Sequence, residues 1–232
     1  MKREITRTLK VWMITALFTT AHANVEAQTQ VVLETTMGNI RLELNDKETP
    51  QHSKNFRELV EKGFYNGILF HRLAYNFVIQ AGDPASINAE PGTVLGNTEE
   101  TYKIPAEICY PQMIHKRGAL CMAREADEQN LERASSAYQF YIVYGKRFDD
   151  AMLDKAQERL DKTTNGQVKL TPEVREIYKT KGGLPHLDGQ YTVFGEVVEG
   201  LDVVKNIQTV DVDENLRPLN DVRIIRAYIA KE

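Results

Sequence analysis

Apolar and polar positions first alternate cleanly near residue 40. Val31 to Thr36 and Ile40 to Leu44 flank Met37-Gly38-Asn39, and in the second run Ile40, Leu42 and Leu44 are separated by Arg41 and Glu43. A period of two on either side of a glycine predicts a β-hairpin with one buried face. The period then lengthens. Thr49-Pro50 sets an N-cap residue before a proline at the first helical position, and Phe56, Leu59 and Val60 recur at helical spacing until Gly63. Strand-like runs return at 69–73 and 77–80, separated by Ala74-Tyr75-Asn76, and again at 118–123, 139–144, 191–198 and 222–229. Between the last two, Leu201 to Ile207 carries Val203, Val204 and Ile207 in a brief helical pattern. Many short strands with turn residues between them predict a mainly β protein, a closed antiparallel barrel or a sandwich, with two helices over the open ends.

The rhythm breaks between Gly145 and Gly183, where the chain is polar and helical in character. Asp149 caps a pattern carrying Met152, Leu153, Ala156 and Leu160. Asn165-Gly166 is a turn, and Thr171-Pro172 opens a second pattern with Val174, Ile177 and Tyr178 before Gly182-Gly183. A structureless loop of about 40 residues is improbable in a compact domain, so residues 146–184 are expected to form a helical hairpin inserted between two strands.

The N-terminus reads as an address. Lys2, Arg3, Arg7 and Lys10 precede Val11 to Ala21, a run without charge. It is too short for a membrane-spanning helix of about 20 residues but matches the apolar region of a secretory signal, and Ala21-His22-Ala23 supplies a small-x-small cleavage site. Residues 1–23 are therefore expected to be a signal peptide, with cleavage after residue 27 as an alternative; an uncleaved anchor or a buried amphipathic helix are the competing readings. Removing residues 1–23 takes away four cations and one carboxylate, moving the net charge from −4 to −7, and takes away the lone tryptophan, Trp12. Export, most simply to a periplasm with secretion as the alternative, follows, with no stable membrane insertion of the mature chain. The two cysteines, Cys109 and Cys121, are too few for a disulfide framework in a chain of 232 residues. Whether they pair depends on a Cα separation that sequence does not carry; Cys121, inside Ala119-Leu120-Cys121-Met122-Ala123, reads as a buried free thiol.

Composition narrows the chemistry. With 42% hydrophobic and 27% charged residues the chain can bury a sizeable core, and 29 Lys+Arg against 33 Asp+Glu leave no basic stripe for nucleic acid. The histidines, at 22, 52, 71, 115 and 186, show no metal-ligand spacing. There is no glycine-rich phosphate loop and no G-x-S-x-G elbow. No metal and no cofactor are expected, and no nucleophile mechanism is visible. Chemistry here should depend on binding and electrostatics.

One stretch carries more information: Phe70-His71-Arg72-Leu73 followed by Phe77-Val78-Ile79-Gln80-Ala81-Gly82-Asp83. It resembles the signature of the cyclophilin family of peptidyl-prolyl cis/trans isomerases. Three more segments resemble that family in the same order: Gly118 to Ala123, Glu132 to Ile142, and Leu187 to Gly195. The resemblance covers residues 31–144 and 185–229, and residues 29–232 are taken as one such domain. It implies an eight-stranded antiparallel barrel capped by two helices, a monomer, and proline-containing polypeptides as substrates. By the same resemblance Arg72, Gln80 and Phe77 are the catalytic residues, with Arg72 aimed at the prolyl nitrogen. Val78, Tyr141 and Leu187 join Phe77 around the proline ring, and Ala123, Arg124, Gln139, His186 and Tyr191 line the rest of the groove. His186 stands where cyclosporin-sensitive members carry a tryptophan, which implies weak cyclosporin binding. The alternative is a non-catalytic proline-peptide-binding chaperone module, which would not need the arginine.

Overall fold

The computed structural model describes residues 28–231, so the expected leader and Trp12 lie outside the described residues. The hairpin forms as the alternation requires, from β1 (Gln30–Thr35) and β2 (Gly38–Leu44). Helix α1 (Pro50–Glu61) follows, then β3 (Phe70–Leu73), β4 (Val78–Ala81), β5 (Lys103–Ile104), β6 (Ala119–Met122), β7 (Ser135–Ser136) and β8 (Phe140–Val143). Helices α2 (Asp150–Thr163) and α3 (Pro172–Thr180) precede β9 (Val193–Glu199), α4 (Leu201–Ile207) and β10 (Ile224–Ile229).

Eight strands form one antiparallel sheet in the order β10-β1-β2-β9-β6-β8-β4-β3. Its two edges meet where Leu69 bridges Arg223, Phe70 N–H donates to Val222 O at 2.8 Å and Ile224 N–H donates to Ile68 O at 2.8 Å. The sheet is thus a nearly closed barrel, in which few edge groups are left unpaired. Ile40, Leu42, Phe70, Ile79, Leu120, Phe140, Ile142 and Phe194 point inward into one core. Phe56 of α1 plugs one end, edge-on to Phe140 and Phe194 with both ring centroids 5.3 Å away. Val204 and Ile207 of α4 join the same core. Every residue of β6 and β8 is buried, because their outer face is covered as well; this is why those strands read as continuous apolar runs rather than alternations.

One local expectation changes and one element is new. Thr49 precedes α1 but does not cap it; its hydroxyl donates to Asn45 O at 2.9 Å. The cap is instead Glu107, whose carboxylate accepts Gln51 N–H at 3.1 Å and His52 N–H at 3.0 Å, two of the amides that a helix start leaves unpaired. The new element is β5 paired with β7, a separate short ribbon that no periodicity announced.

Helices α2 and α3 form as their caps specify: Asp149 accepts Met152 N–H at 2.8 Å and Thr171 accepts Val174 N–H at 3.4 Å. They bury Leu153, Ala156, Leu160, Val174 and Tyr178 against Ile114 in a cluster of their own. Met152 and Ile177 are only half-buried. The segment rejoins the barrel at Gly183, which bridges both Lys116 and Lys146. At Gly183, φ is +144° and a Cβ would sit 2.2 Å from His115 O, so only glycine fits that seam. Both cysteines are free, Cys121 fully buried and Cys109 partly so. Among the described residues no helix is long and apolar enough to cross a membrane.

Candidate active site

Strand register assembles the site on the outer face of the barrel. Arg72 on β3 pairs with Gln80 on β4, Gln80 with Tyr141 on β8, Tyr141 with Cys121 on β6, and Cys121 with Val193 on β9. Side chains on paired positions share a face, so these five residues form one transverse row. Polar groups occupy one end and apolar groups the other.

At the polar end Arg72 Nη1 donates to Gln80 Oε1 at 3.3 Å, Gln80 Nε2 donates to Gln139 Oε1 at 3.2 Å, and Gln139 Nε2 donates to Gly96 O at 3.0 Å. Gly96 is held in turn by the buried Asp83, whose Oδ2 accepts its N–H at 2.5 Å while Oδ1 accepts Ala85 N–H at 2.9 Å and the Thr98 hydroxyl at 2.5 Å. The guanidinium is therefore anchored through a chain of amides to the loop after β4. Phe77 lies beside it, its ring centroid 5.9 Å from the Arg72 Cζ. Asn76 aims that ring, with φ of +54° and its N–H donated to Gln208 Oε1 at 2.7 Å. Among the described residues no carboxylate pairs with Arg72.

At the apolar end Val78, Cys121, Tyr141 and Val193 pack with Phe77, Ala123, Leu187 and Tyr191. His186 stacks on Phe77, and burial, with the positive charge of Arg159 as a smaller cause, lowers its pKa to about 4. Burial also keeps the Cys121 thiol and the Tyr141 hydroxyl protonated, well above their ordinary values. The site thus presents no thiolate or phenolate at neutral pH. Among the described residues no group of three His, Cys, Asp or Glu side chains is placed to hold a metal ion.

The groove continues past Gln80 and Gln139 into a cleft of about 690 Å³ lined by Gly96, Thr98, Ala123 and Arg124. Arg124 is a wall rather than a free cation: it donates to Gln190 O at 2.9 Å, pairs with Asp127 at 2.6 Å and lies 4.4 Å over the Tyr191 ring. The backbone of Ala123 is engaged within the chain, its N–H donated to Gln139 O at 2.9 Å and its carbonyl accepting Ser136 N–H at 2.8 Å.

The fold therefore brings together all the residues singled out by sequence, with Gln139 as a support behind Gln80. What sequence reasoning missed lies underneath. Asp83, Gly96, His115, Asp188 and Tyr178 hold the groove from behind; Asp83 and Asp188 stood in the motif segments without a role, and the rule that a buried carboxylate needs donors supplies one.

An arginine-bearing groove on the outside of an eight-stranded barrel defines a cyclophilin-like protein, and comparison with known proteins agrees. Residues 30–229 match the model of the family described as cyclophilin type peptidyl-prolyl cis-trans isomerase/CLD. The peptidyl-prolyl cis-trans isomerase-like 1 of Aspergillus fumigatus is 29% identical over 205 residues, covering 88% of this chain and 97% of the relative. The human protein of the same name is 30% identical over 199 residues, covering 85% and 90%. A Cryptosporidium parvum cyclophilin solved in the presence of the dipeptide Ala-Pro superposes with a TM-score of 0.60 at 22% identity, covering 88% of this chain and 99% of that one. The chain belongs to the cyclophilin-type peptidyl-prolyl cis-trans isomerase family.

Proposed function

We propose that this isomerase acts on X–Pro bonds of exported protein clients, stabilising the twisted amide non-covalently at Arg72. The observation that carries this reading is the Arg72 guanidinium itself, tethered by Gln80, flanked by Phe77 and unpaired with any carboxylate among the described residues. Amide resonance raises a rotational barrier of about 18–20 kcal/mol. At the crest the prolyl nitrogen regains its lone pair and accepts a hydrogen bond that neither planar isomer accepts. A donor fixed at that position therefore lowers the barrier without binding the ground states more tightly. Phe77, Val78, Tyr141 and Leu187 supply the apolar surface for the proline ring. Ala123, Arg124, Gln139, His186 and Tyr191 border the path of the chain on either side.

Arg72→Ala is expected to lose about 10²–10³ in kcat/KM, the scale of removing one transition-state donor. A proline-limited refolding assay reads this directly. Equal activity of wild type and variant overturns the assignment of Arg72.

Export to the periplasm rests on the basic start, the apolar run Val11 to Ala21 and the Ala21-His22-Ala23 site. The exported mature chain should give no tryptophan-selective emission, because Trp12 leaves with the leader. Emission from the exported protein would show that the leader is retained.

A further inference from the structure

Four buried side chains from four separate places in the sequence make one hydrogen-bonded chain beneath the groove. The Tyr178 hydroxyl, on α3, donates to Asp188 Oδ2 at 2.7 Å. Asp188 Oδ1 accepts the His115 backbone N–H at 2.8 Å and lies 3.0 Å from His115 Nδ1. His115 Nε2 lies 3.1 Å from the Tyr141 hydroxyl. Relative exposures run from 0% at Tyr178 and Asp188 through 1% at His115 to 5% at Tyr141. A carboxylate only accepts, so Asp188 draws the proton to Nδ1; in the neutral ring Nε2 is then left to accept the Tyr141 O–H.

We propose that Tyr178 is a positioning residue for isomerisation, acting through Asp188 and His115 to hold the Tyr141 ring in the proline pocket. The proposal rests on the reading above that Tyr141 lines that pocket. Three features separate it from ordinary packing. Tyr178 already packs edge-on to Phe148, with centroids 6.2 Å apart, and a phenylalanine would satisfy that contact; the hydroxyl serves only Asp188. Asp188 immediately follows His186 and Leu187, so the carboxylate that Tyr178 holds also sets the short 3₁₀ turn Pro185–Leu187 carrying two groove residues. Tyr141, finally, is tethered at its far end by His115 as well as packed at its faces. The His115 ring is nearly parallel to it at 18°, and Tyr191 stands edge-on at 83°. A ring held at its hydroxyl by His115 and along its side by Tyr191 does not swing away when the substrate proline turns. The helical segment between Gly145 and Gly183 thus reaches the site through a buried hydroxyl, besides the packing of α2 against the turn Pro185–Leu187.

The test is a double-mutant cycle in the full chain, using Tyr178→Phe, Tyr141→Phe and the pair, with kcat/KM on a proline peptide and thermal midpoints for all. Each single variant is expected to lose about 3–10-fold in kcat/KM, and Tyr178→Phe should cost nothing more than about twofold once Tyr141 lacks its hydroxyl. Losses that multiply in the pair, or a Tyr178→Phe enzyme as active as wild type, overturn the proposal. If Tyr178→Phe fails to fold, Asp188→Asn replaces it in the same cycle, since the amide is matched in size but no longer accepts from Tyr178 at its nitrogen. Arg72→Ala is assayed alongside. Full activity there overturns the site reading, whereas an inactive Arg72→Ala with multiplicative tyrosine effects overturns only the role given to Tyr178.

Discussion

His186 lies against Phe77 with ring planes 15° apart and centroids 6.1 Å apart, an aromatic pair at the mouth of the groove. Burial lowers the His186 pKa to about 4, so at neutral pH the imidazole stacks as an uncharged ring.

The size of that ring bears on inhibitor binding. An indole in its place adds apolar area and an N–H donor. Wild type is expected to bind cyclosporin weakly, and His186→Trp to tighten binding by at least about tenfold, or about 1.4 kcal/mol. Calorimetric titration of both proteins measures this, and unchanged affinity would remove His186 as the determinant.

Gln80 ties the guanidinium to Gln139, and its role separates in the kinetics. If Gln80 orients Arg72, Gln80→Ala lowers kcat about tenfold and leaves KM within about twofold, because the lost interaction belongs to the transition state. A raised KM with unchanged kcat would instead make Gln80 a contact for the substrate backbone.

Asp83 accepts from Ala85, Gly96 and Thr98 while 1% exposed. Its replacement by alanine strands those donors around a void. Asp83→Ala is expected to cost about 3 kcal/mol of stability and to loosen the loop that supports Gln139. Urea unfolding of the variant checks this; a loss below about 1 kcal/mol would mean that the loop is anchored elsewhere.

Stability should fall in mild acid. Burial lowers the His71 pKa from 6.5 to about 4, the nearby Asp83 charge opposing it only in part. The unfolded chain therefore takes up a proton near pH 6.5 that the folded chain refuses until about pH 4. His71 has no effect above that window, and within it costs stability as pH falls, at a slope approaching about 1.4 kcal/mol per pH unit. Urea midpoints at about pH 7.5, 6 and 5 should decline in that order, and more gently in His71→Gln. Equal slopes in the two proteins would place the acid sensitivity elsewhere.

Much of the architecture was legible because spacing along the chain encodes which face is buried. The β1–β2 alternation, the apolar spacing of α1 and α4, and the Asp149 and Thr171 caps are local signals, and each produced its element within a residue or two. The row Arg72, Gln80, Tyr141 was likewise accessible, through motifs on strands that the fold then sets in register. What escaped depends on partners distant in sequence. Glu107 caps a helix 55 residues away and Asp188 holds His115 across 73, neither marked by any local period. The two-residue ribbon of β5 and β7 is too short to show one.

Sequence alone determined the longer strands and helices, and singled out the residues that line the groove, because both reside in local pattern and residue type. Only the tertiary structure decided that Glu107 starts α1 and that β5 pairs with β7. It alone decided that a tyrosine on α3 donates to Asp188 beneath the groove. Those are hydrogen bonds among buried groups, and a buried donor or acceptor is satisfied by whatever the fold brings beside it, not by its neighbours in the chain.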